Sequence, residues 1–153
     1  MIVRPAVTKD MDAIYLMGID VWGEGQTEEE YLADCRNSIK YKLGEWHCLT
    51  EDGVIVSSLI TYQNQFGLAD RYVGMGSIAT YPDHRRKGYA GCLIQNCIDR
   101  CTEEKCLGLL LFSDVESSYY ERFGFTAAES EMIDPPMFLS LNGGRLPELP
   151  RYF

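Results

Sequence analysis

The sequence predicts a mixed α/β protein with a central sheet of about seven strands and helices on both faces. Helix-like and strand-like segments are mixed along the chain as far as a proline-rich tail, without an internal repeat or a low-complexity tract. The segment CLGLLLFS at 106–113 is almost continuously apolar, as expected of a central strand buried on both faces. Gly74 and Gly76 lie within a strand-like segment and indicate a bulge or a close approach by another group.

The first half of the chain is predicted to form one strand, two helices and a hairpin. Thr8 can cap the first helix, and Thr27 with Glu30 has the spacing of a capping box for the second. The EDG sequence at 51–53 is typical of a turn between two strands. The predicted elements are a strand at 1–5, helices at 8–22 and 27–42, and strands at 45–50 and 54–63.

The second half continues the alternation of helices and strands. Its first strand leads through a basic loop into a long helix, and Gly124 ends a short helix further on. The predicted elements are a strand at 71–81, a helix at 87–105, a strand at 106–113, a helix at 115–124, and strands at 125–133 and 137–141. A chain of 153 residues can form one full core but not two, so we expect residues 1–153 to form a single domain.

Composition and charge argue against several classes of function. The net charge of −9, from 23 acidic and 14 basic residues, argues against non-specific binding of nucleic acids. The sequence has no run of about 18 apolar residues that could span a membrane, and its N-terminus lacks the pattern of a signal peptide. The six cysteines form no C-x-x-C pair and have no histidine at ligand spacing, so we expect reduced, mostly buried thiols. We therefore expect a cytoplasmic protein that binds neither a membrane nor a metal.

The segment YPDHRRKGYAG at 81–91 places three consecutive cations before the predicted start of a helix. The N-terminus of a helix already carries a positive partial charge, so each cation there costs about 0.3–1 kcal/mol unless an anion binds. The free amides, the helix dipole and the cations together suit the binding of a pyrophosphate. The alternative interpretation is a solvated basic turn that binds no ligand. The spacing of a Walker loop and the Gly-x-Gly-x-x-Gly pattern are both missing, which disfavours ATP and NAD as ligands.

Two segments resemble the GNAT acetyltransferase family. In ATYPDHRRKGYAGCLI, Arg85, Gly88 and Ala90 are in register with the acetyl-CoA loop of that family, Gln/Arg-x-x-Gly-x-Gly/Ala. The segment YYERFGF at 119–125 resembles the Tyr-x-x-x-Gly-Phe sequence that precedes the sixth strand in the family. The order of the predicted elements also agrees along nearly the whole chain. The resemblance implies a GNAT-like acyl-CoA N-acyltransferase fold.

The resemblance also implies direct transfer of an acetyl group from acetyl-CoA, as co-substrate, to a primary amine. The pantetheine arm would pair with Ile78, Ala79 and Thr80 on the fourth strand, where an amide would stabilise the tetrahedral oxyanion. Tyr120 is in register with the residue that protonates the leaving thiolate, and a phenol holds its proton at neutral pH. The pyrophosphate would lie on the backbone amides of Arg85, Arg86, Lys87, Gly88, Tyr89 and Ala90.

The incoming amine must be neutral, and no residue stands out as its general base. The fourth strand lacks the glutamate that some family members use, and the fifth strand is not followed by the asparagine often found there. By elimination, the candidates are Glu24, His84, Asp114 and Glu116. Acceptor specificity would come from the first two helices and the loop at 63–70. An aromatic pocket and core packing are the alternative roles for Trp22, Tyr31, Trp46 and Tyr62.

Three classes of function stay open at this point. Tyr120 favours an N-acyltransferase acting on a small-molecule amine or on a protein amino group. The missing base keeps open a non-catalytic acyl-CoA-binding module that serves as a sensor or interaction surface. A different anion-binding enzyme, such as a phosphate-ester transferase, is disfavoured because metal ligands are lacking. Homodimers are common in the family, so the resemblance is compatible with a homodimer.

Overall fold

The computed structural model describes all residues from Met1 to Phe153 and contains one sheet of seven strands in the order β1-β2-β3-β4-β5-β7-β6. Strands β4 and β5 are parallel, whereas β1 pairs with β2, and β7 with β5 and β6, in antiparallel fashion. The predicted mixed sheet is therefore confirmed. The strands are β1 Ile2–Pro5, β2 Glu45–Glu51, β3 Val54–Tyr62, β4 Tyr72–Thr80, β5 Gly108–Phe112, β6 Thr126–Ala127 and β7 Pro136–Ser140.

Six α-helices and two short 3₁₀ turns, at Thr8–Asp10 and Pro82–His84, connect the strands. None of the helices is long and apolar enough to span a bilayer. The α-helices are α1 Met11–Leu16, α2 Ile19–Trp22, α3 Glu28–Asn37, α4 Ile39–Lys42, α5 Tyr89–Glu103 and α6 Ser117–Glu121.

The contacts divide the chain into two compact units. The first unit comprises Met1–Ile60 and Ser77–Ile94, and the second comprises Thr61–Gly76 and Gln95–Phe153. The expectation of a single domain stays a prediction. In the second unit, three consecutive leucines of β5 (109–111) are at most 1% exposed. Because successive side chains of a strand point to opposite faces, this burial confirms that β5 is covered on both faces.

Both N-terminal helices are shorter than predicted. The first is interrupted at Gly18, against which the Trp22 ring packs so closely that a Cβ would lie 2.1 Å from a ring carbon. Its N-terminus is satisfied by the Asp10 carboxylate, which accepts from the Val7 amide at 2.8 Å, so the prediction of a Thr8 cap is wrong. The second helix ends before Ser38, whose extended backbone breaks it and whose hydroxyl caps α4. The Thr27 cap is confirmed by the hydrogen bond from the Glu30 amide at 3.2 Å.

Strand β4 is irregular at the glycines that the sequence singles out. Its pairing with β5 ends at Gly74, opposite Leu110, whereas β5 continues to pair with β7 as far as Phe112. A Cβ on Gly74 would lie 2.7 Å from the Phe153 ring, so the predicted close approach is confirmed at this glycine. Ser77 has a left-handed backbone with φ of 46°, which an ordinary strand residue does not adopt. The irregularity therefore lies immediately after Gly76, where β4 enters the first unit.

Candidate functional site

The basic loop, residues 85–90, runs from the 3₁₀ turn after β4 into helix α5. Two of its residues, Arg86 and Gly88, have left-handed backbones with φ of 64° and 83°. The first helical hydrogen bond runs from the Cys92 amide to the Gly88 carbonyl at 3.0 Å. The amides of Tyr89 and Ala90 precede that bond, so they have no helical acceptor and are available to an anion. The loop therefore presents free amides at the start of a helix, which is what anion binding at a helix N-terminus uses.

The three cations of the loop have different environments. The Arg85 guanidinium forms two hydrogen bonds with the Asp20 carboxylate, at 2.7 and 2.9 Å, and its Nε donates to the Thr80 carbonyl at 2.9 Å. The hydrogen bonds between the two side chains lower the pKa of the Asp20 carboxyl and raise that of Arg85. Arg86 and Lys87 are exposed. Sequence reasoning missed Asp20, because nothing in its local sequence indicates a partner 65 residues away.

The end of β4 is held by side-chain hydrogen bonds to its backbone. The Ser57 hydroxyl on β3 donates to the Ala79 carbonyl at 2.8 Å and lies 3.0 Å from the Thr80 hydroxyl. The Thr80 carbonyl accepts from Arg85. Ile78, Ala79 and Thr80 are all partly exposed.

An aromatic pocket in the first unit lies against β4 at Ser77 and Ala79. Its cavity is about 10 Å³, close to the space that one water requires. Three of its rings pack together: Tyr41 stacks on Tyr15 at 5.9 Å and meets Trp46 edge to face at 5.2 Å between centroids. The pocket is lined by Ile14, Tyr15, Trp22, Tyr31, Cys35, Tyr41, Trp46, Ser77 and Ala79, none of which is charged in its ordinary state.

The prediction about aromatic residues is partly matched by this pocket. It brings together Trp22, Tyr31 and Trp46, whereas Tyr62 lies in the second unit and packs against Phe66 and Phe153. Tyr15 and Tyr41 complete the pocket, although their local sequences resemble those of ordinary helix residues. Within the pocket, burial raises the pKa of Tyr41, and a side-chain hydrogen bond with Ser77 partly offsets that rise. Ser77, the left-handed residue of β4, is thus hydrogen-bonded to an aromatic residue of the pocket.

The predicted acid, Tyr120, lies on α6 in the second unit and is 5% exposed. Its ring contacts Tyr119 and Phe125 at centroid distances of 5.1 and 6.2 Å. Burial, followed by the charge of Asp114, raises its pKa above the ordinary value. The phenol therefore stays protonated throughout the neutral range and has a proton to donate there.

Among the four candidates for the general base, Asp114 has a pKa that is shifted by its surroundings. Burial raises the pKa of its carboxyl, and the charge of Asp134 adds to the effect. Glu116 is the N-cap residue of α6, and the His84 ring lies 6.2 Å from that of Tyr89. Glu24 has a left-handed backbone in the loop after α2. A raised pKa brings Asp114 closer to the range in which a carboxylate accepts a proton efficiently.

Comparisons with known proteins identify the family of the chain. A family model described as an acetyltransferase (GNAT) domain matches residues 2–128. A comparison with curated proteins finds no match.

Several solved structures share the fold. A GNAT acetyltransferase from Brucella melitensis in complex with acetyl-CoA has a TM-score of 0.67 and 19% identity, covering 99% of this chain and 92% of its own. The ribosomal-protein-S18-alanine N-acetyltransferase of Escherichia coli has the same TM-score and identity and covers 99% of both chains. The PaiA N-acetyltransferase of Thermoplasma acidophilum in complex with coenzyme A has a TM-score of 0.69 at 12% identity, over 91% of this chain and 98% of its own. With the family model spanning most of the sequence, the chain belongs to the GNAT acetyltransferase family.

Proposed function

We propose that this protein transfers an acetyl group from acetyl-CoA to a primary amine. The proposal is supported mainly by the conformation of the basic loop. Arg86 and Gly88 have left-handed backbones, and the free amides of the first turn of α5 follow directly after them. Such a helix N-terminus recognises phosphate through its amides and its dipole, and two exposed cations add to the attraction. Acetyl-CoA supplies a pyrophosphate of matching charge at one end and a reactive thioester at the other.

The proposed reaction is a direct attack that forms no covalent enzyme intermediate. The lone pair of the neutral amine forms a C–N bond at the thioester carbonyl, and the oxyanion accepts a hydrogen bond from an amide near Ile78 or Ala79. When the tetrahedral intermediate collapses, the C–S bond breaks and the sulfur leaves with the bonding electrons. Tyr120 supplies a proton to that sulfur, and the nitrogen loses its proton to a base or to water. Tyr120 carries its proton at neutral pH and so has one to give, although the burial that raises its pKa also makes the phenol a weaker acid in the free protein.

We propose that the acceptor enters through the aromatic pocket, because that pocket lies against Ser77 and Ala79 of β4. Its uncharged lining favours an amine carried by an apolar or aromatic group and disfavours polyamines, whose further charges would lose hydration without a partner. An α-amine, with a pKa near 7.8, is neutral in about one molecule in seven at pH 7, whereas a lysine amine is neutral in fewer than about one in a thousand. An α-amine or another weakly basic amine is therefore the better acceptor.

A thiol-release assay with acetyl-CoA tests the proposal. The panel should pair apolar and aromatic amines with polyamines, amino acids and peptides that have free N-termini. We expect turnover with members of the apolar or α-amine group, and a product heavier than the acceptor by one acetyl group. Tight CoA binding without turnover of any amine would instead support a non-catalytic acyl-CoA-binding module. Failure to bind CoA at all would refute the reading of the basic loop.

A further inference from the structure

An ion pair links the basic loop to helix α2. Asp20 and Arg85 meet through a bidentate contact, and their side chains are 41% and 37% exposed. Arg85 is also fixed to the end of β4 through the Thr80 carbonyl. Any ligand that draws on the Arg85 charge therefore acts on α2 as well.

Helix α2 is a single turn with no buried residue, although the Trp22 ring packs closely on Gly18. Asp20 is the only ionisable one of its four residues. Its turn is closed by hydrogen bonds from Trp22 to the Gly18 carbonyl at 2.8 Å and from Gly23 to the Ile19 carbonyl at 2.9 Å. An element without buried side chains opens at low cost, so even an exposed ion pair worth less than about 1 kcal/mol shifts the balance between its closed and open positions.

The same turn carries Trp22, which lines the aromatic pocket and is 37% exposed. The cavity of the pocket is about 10 Å³, which is room for about one water molecule and too little for a primary amine with an organic side group. One of its walls must therefore move before an acceptor can enter. Trp22 is the lining residue on the least packed element, and only two positions separate it from Asp20.

We propose that Asp20 is a positioning residue that couples the basic loop to the aromatic pocket, so that acetyl-CoA binds first and thereby opens the pocket to the acceptor. The inference rests on the proposed function, because it requires the pyrophosphate to bind the basic loop. Phosphate oxygens compete with the Asp20 carboxylate for the Arg85 guanidinium, and their negative charge repels that carboxylate. Release of Asp20 frees α2, and Trp22 moves away from the pocket. By thermodynamic linkage, an acceptor in the pocket then tightens the binding of acetyl-CoA by the same factor.

Tryptophan fluorescence during a CoA titration tests the coupling without any acceptor. The chain has two tryptophans, so the Trp22→Phe variant identifies the part of the signal that Trp22 contributes. We expect CoA to change the Trp22 emission of the parent protein. In Asp20→Asn, we expect Trp22 emission that already resembles the CoA-bound parent and changes little on titration. CoA affinity in this variant should be equal to that of the parent or up to about fivefold tighter, because CoA no longer has to displace an exposed ion pair.

Asp12→Asn is the matched control. It breaks another exposed bidentate ion pair, between Asp12 and Arg36 at 2.7 and 3.2 Å, that involves neither α2 nor the basic loop. This variant should keep the parental fluorescence response, and thermal unfolding should show similar small losses of stability in both variants. CoA binding without a Trp22-dependent change, or a parental response in Asp20→Asn, would overturn the coupling alone. A parent protein that binds no CoA would overturn both the coupling and the proposed function.

Discussion

Replacing Gly88 by alanine tests the basic loop with the smallest change of side chain. Gly88 has φ of 83°, and a Cβ built on it would meet no atom within 4 Å. The substitution therefore introduces no steric clash, and its whole effect comes from the backbone conformation. For a residue with a Cβ, the left-handed conformation costs about 1–2 kcal/mol.

The exposed loop can relax to avoid this cost in the free protein, because residues 85–88 are all exposed. CoA must then restore the left-handed conformation on binding, and the cost is subtracted from its binding free energy. A loss of about 1–2 kcal/mol raises the dissociation constant about 5- to 30-fold. The free energy of unfolding should change little, since the strain is absent from the free state.

Isothermal calorimetry with CoA measures the effect, and Gly53→Ala is its control. Gly53, in the turn between β2 and β3, has φ of 78° and equally open surroundings. Its replacement by alanine therefore has the same left-handed backbone cost at a position outside the basic loop. The Gly53 variant should bind CoA as the parent does. Equal affinities for parent, Gly88→Ala and Gly53→Ala, within twofold, would refute the claim that the loop must be left-handed at Gly88 to hold the pyrophosphate.

Three further substitutions test other parts of the structure. Arg85→Glu places a new carboxylate beside that of Asp20 and removes a cation from the loop, so calorimetry should show CoA binding at least about tenfold weaker. An unchanged affinity would contradict the interpretation of the loop as an anion site. Tyr120→Phe should lower the turnover number while leaving CoA affinity nearly intact, and parental turnover of an accepted amine would exclude Tyr120 as the acid. Asp10→Asn should lower the free energy of unfolding at pH 7 by about 1–3 kcal/mol, because hydrogen bonds from Arg4 and the Val7 amide then lose their charged acceptor. Those hydrogen bonds lower the pKa of Asp10 from 3.8 to about 2, so this contribution is present above the unfolded value and is lost as the pH falls through the folded one. Urea unfolding should show the gap between parent and variant closing between those two values, and a gap independent of pH would count against the assignment.

Features encoded in a short stretch of sequence could be predicted. The apolar run of β5, the N-cap at Thr27 and the turn at Gly53 each depend on neighbouring residues, and the structure places all three where expected. The basic loop also belongs to this group, since its cations and its glycine occur within one segment. Local interactions of this kind are set by the backbone preferences of the residues concerned.

Features that depend on packing in three dimensions could not be predicted in the same way. The first helix appears continuous in sequence, because the packing of Trp22 on Gly18 is visible only in three dimensions. The aromatic pocket combines α1, α2, α3, α4 and β2 with β4, so the sequence indicates its aromatic residues but not their grouping. Strand β6 is limited to two residues, since only Thr126 and Ala127 pair with β7, whereas the sequence predicts a strand to residue 133.

The charge of the basic loop shows why residue types alone are insufficient to describe an anion site. The sequence places three cations together, but the structure neutralises Arg85 with Asp20 and leaves Arg86 and Lys87 exposed. Arg85 therefore contributes mainly to the shape of the loop in the free protein, through its bonds to Asp20 and Thr80. The initial attraction for an incoming polyanion then comes from two cations and the free amides of α5, before its oxygens compete with Asp20 for Arg85, against a net charge of −9 for the whole chain. A site of this kind attracts phosphate locally while the rest of the surface repels it, which favours a compact ligand such as CoA over an extended nucleic acid.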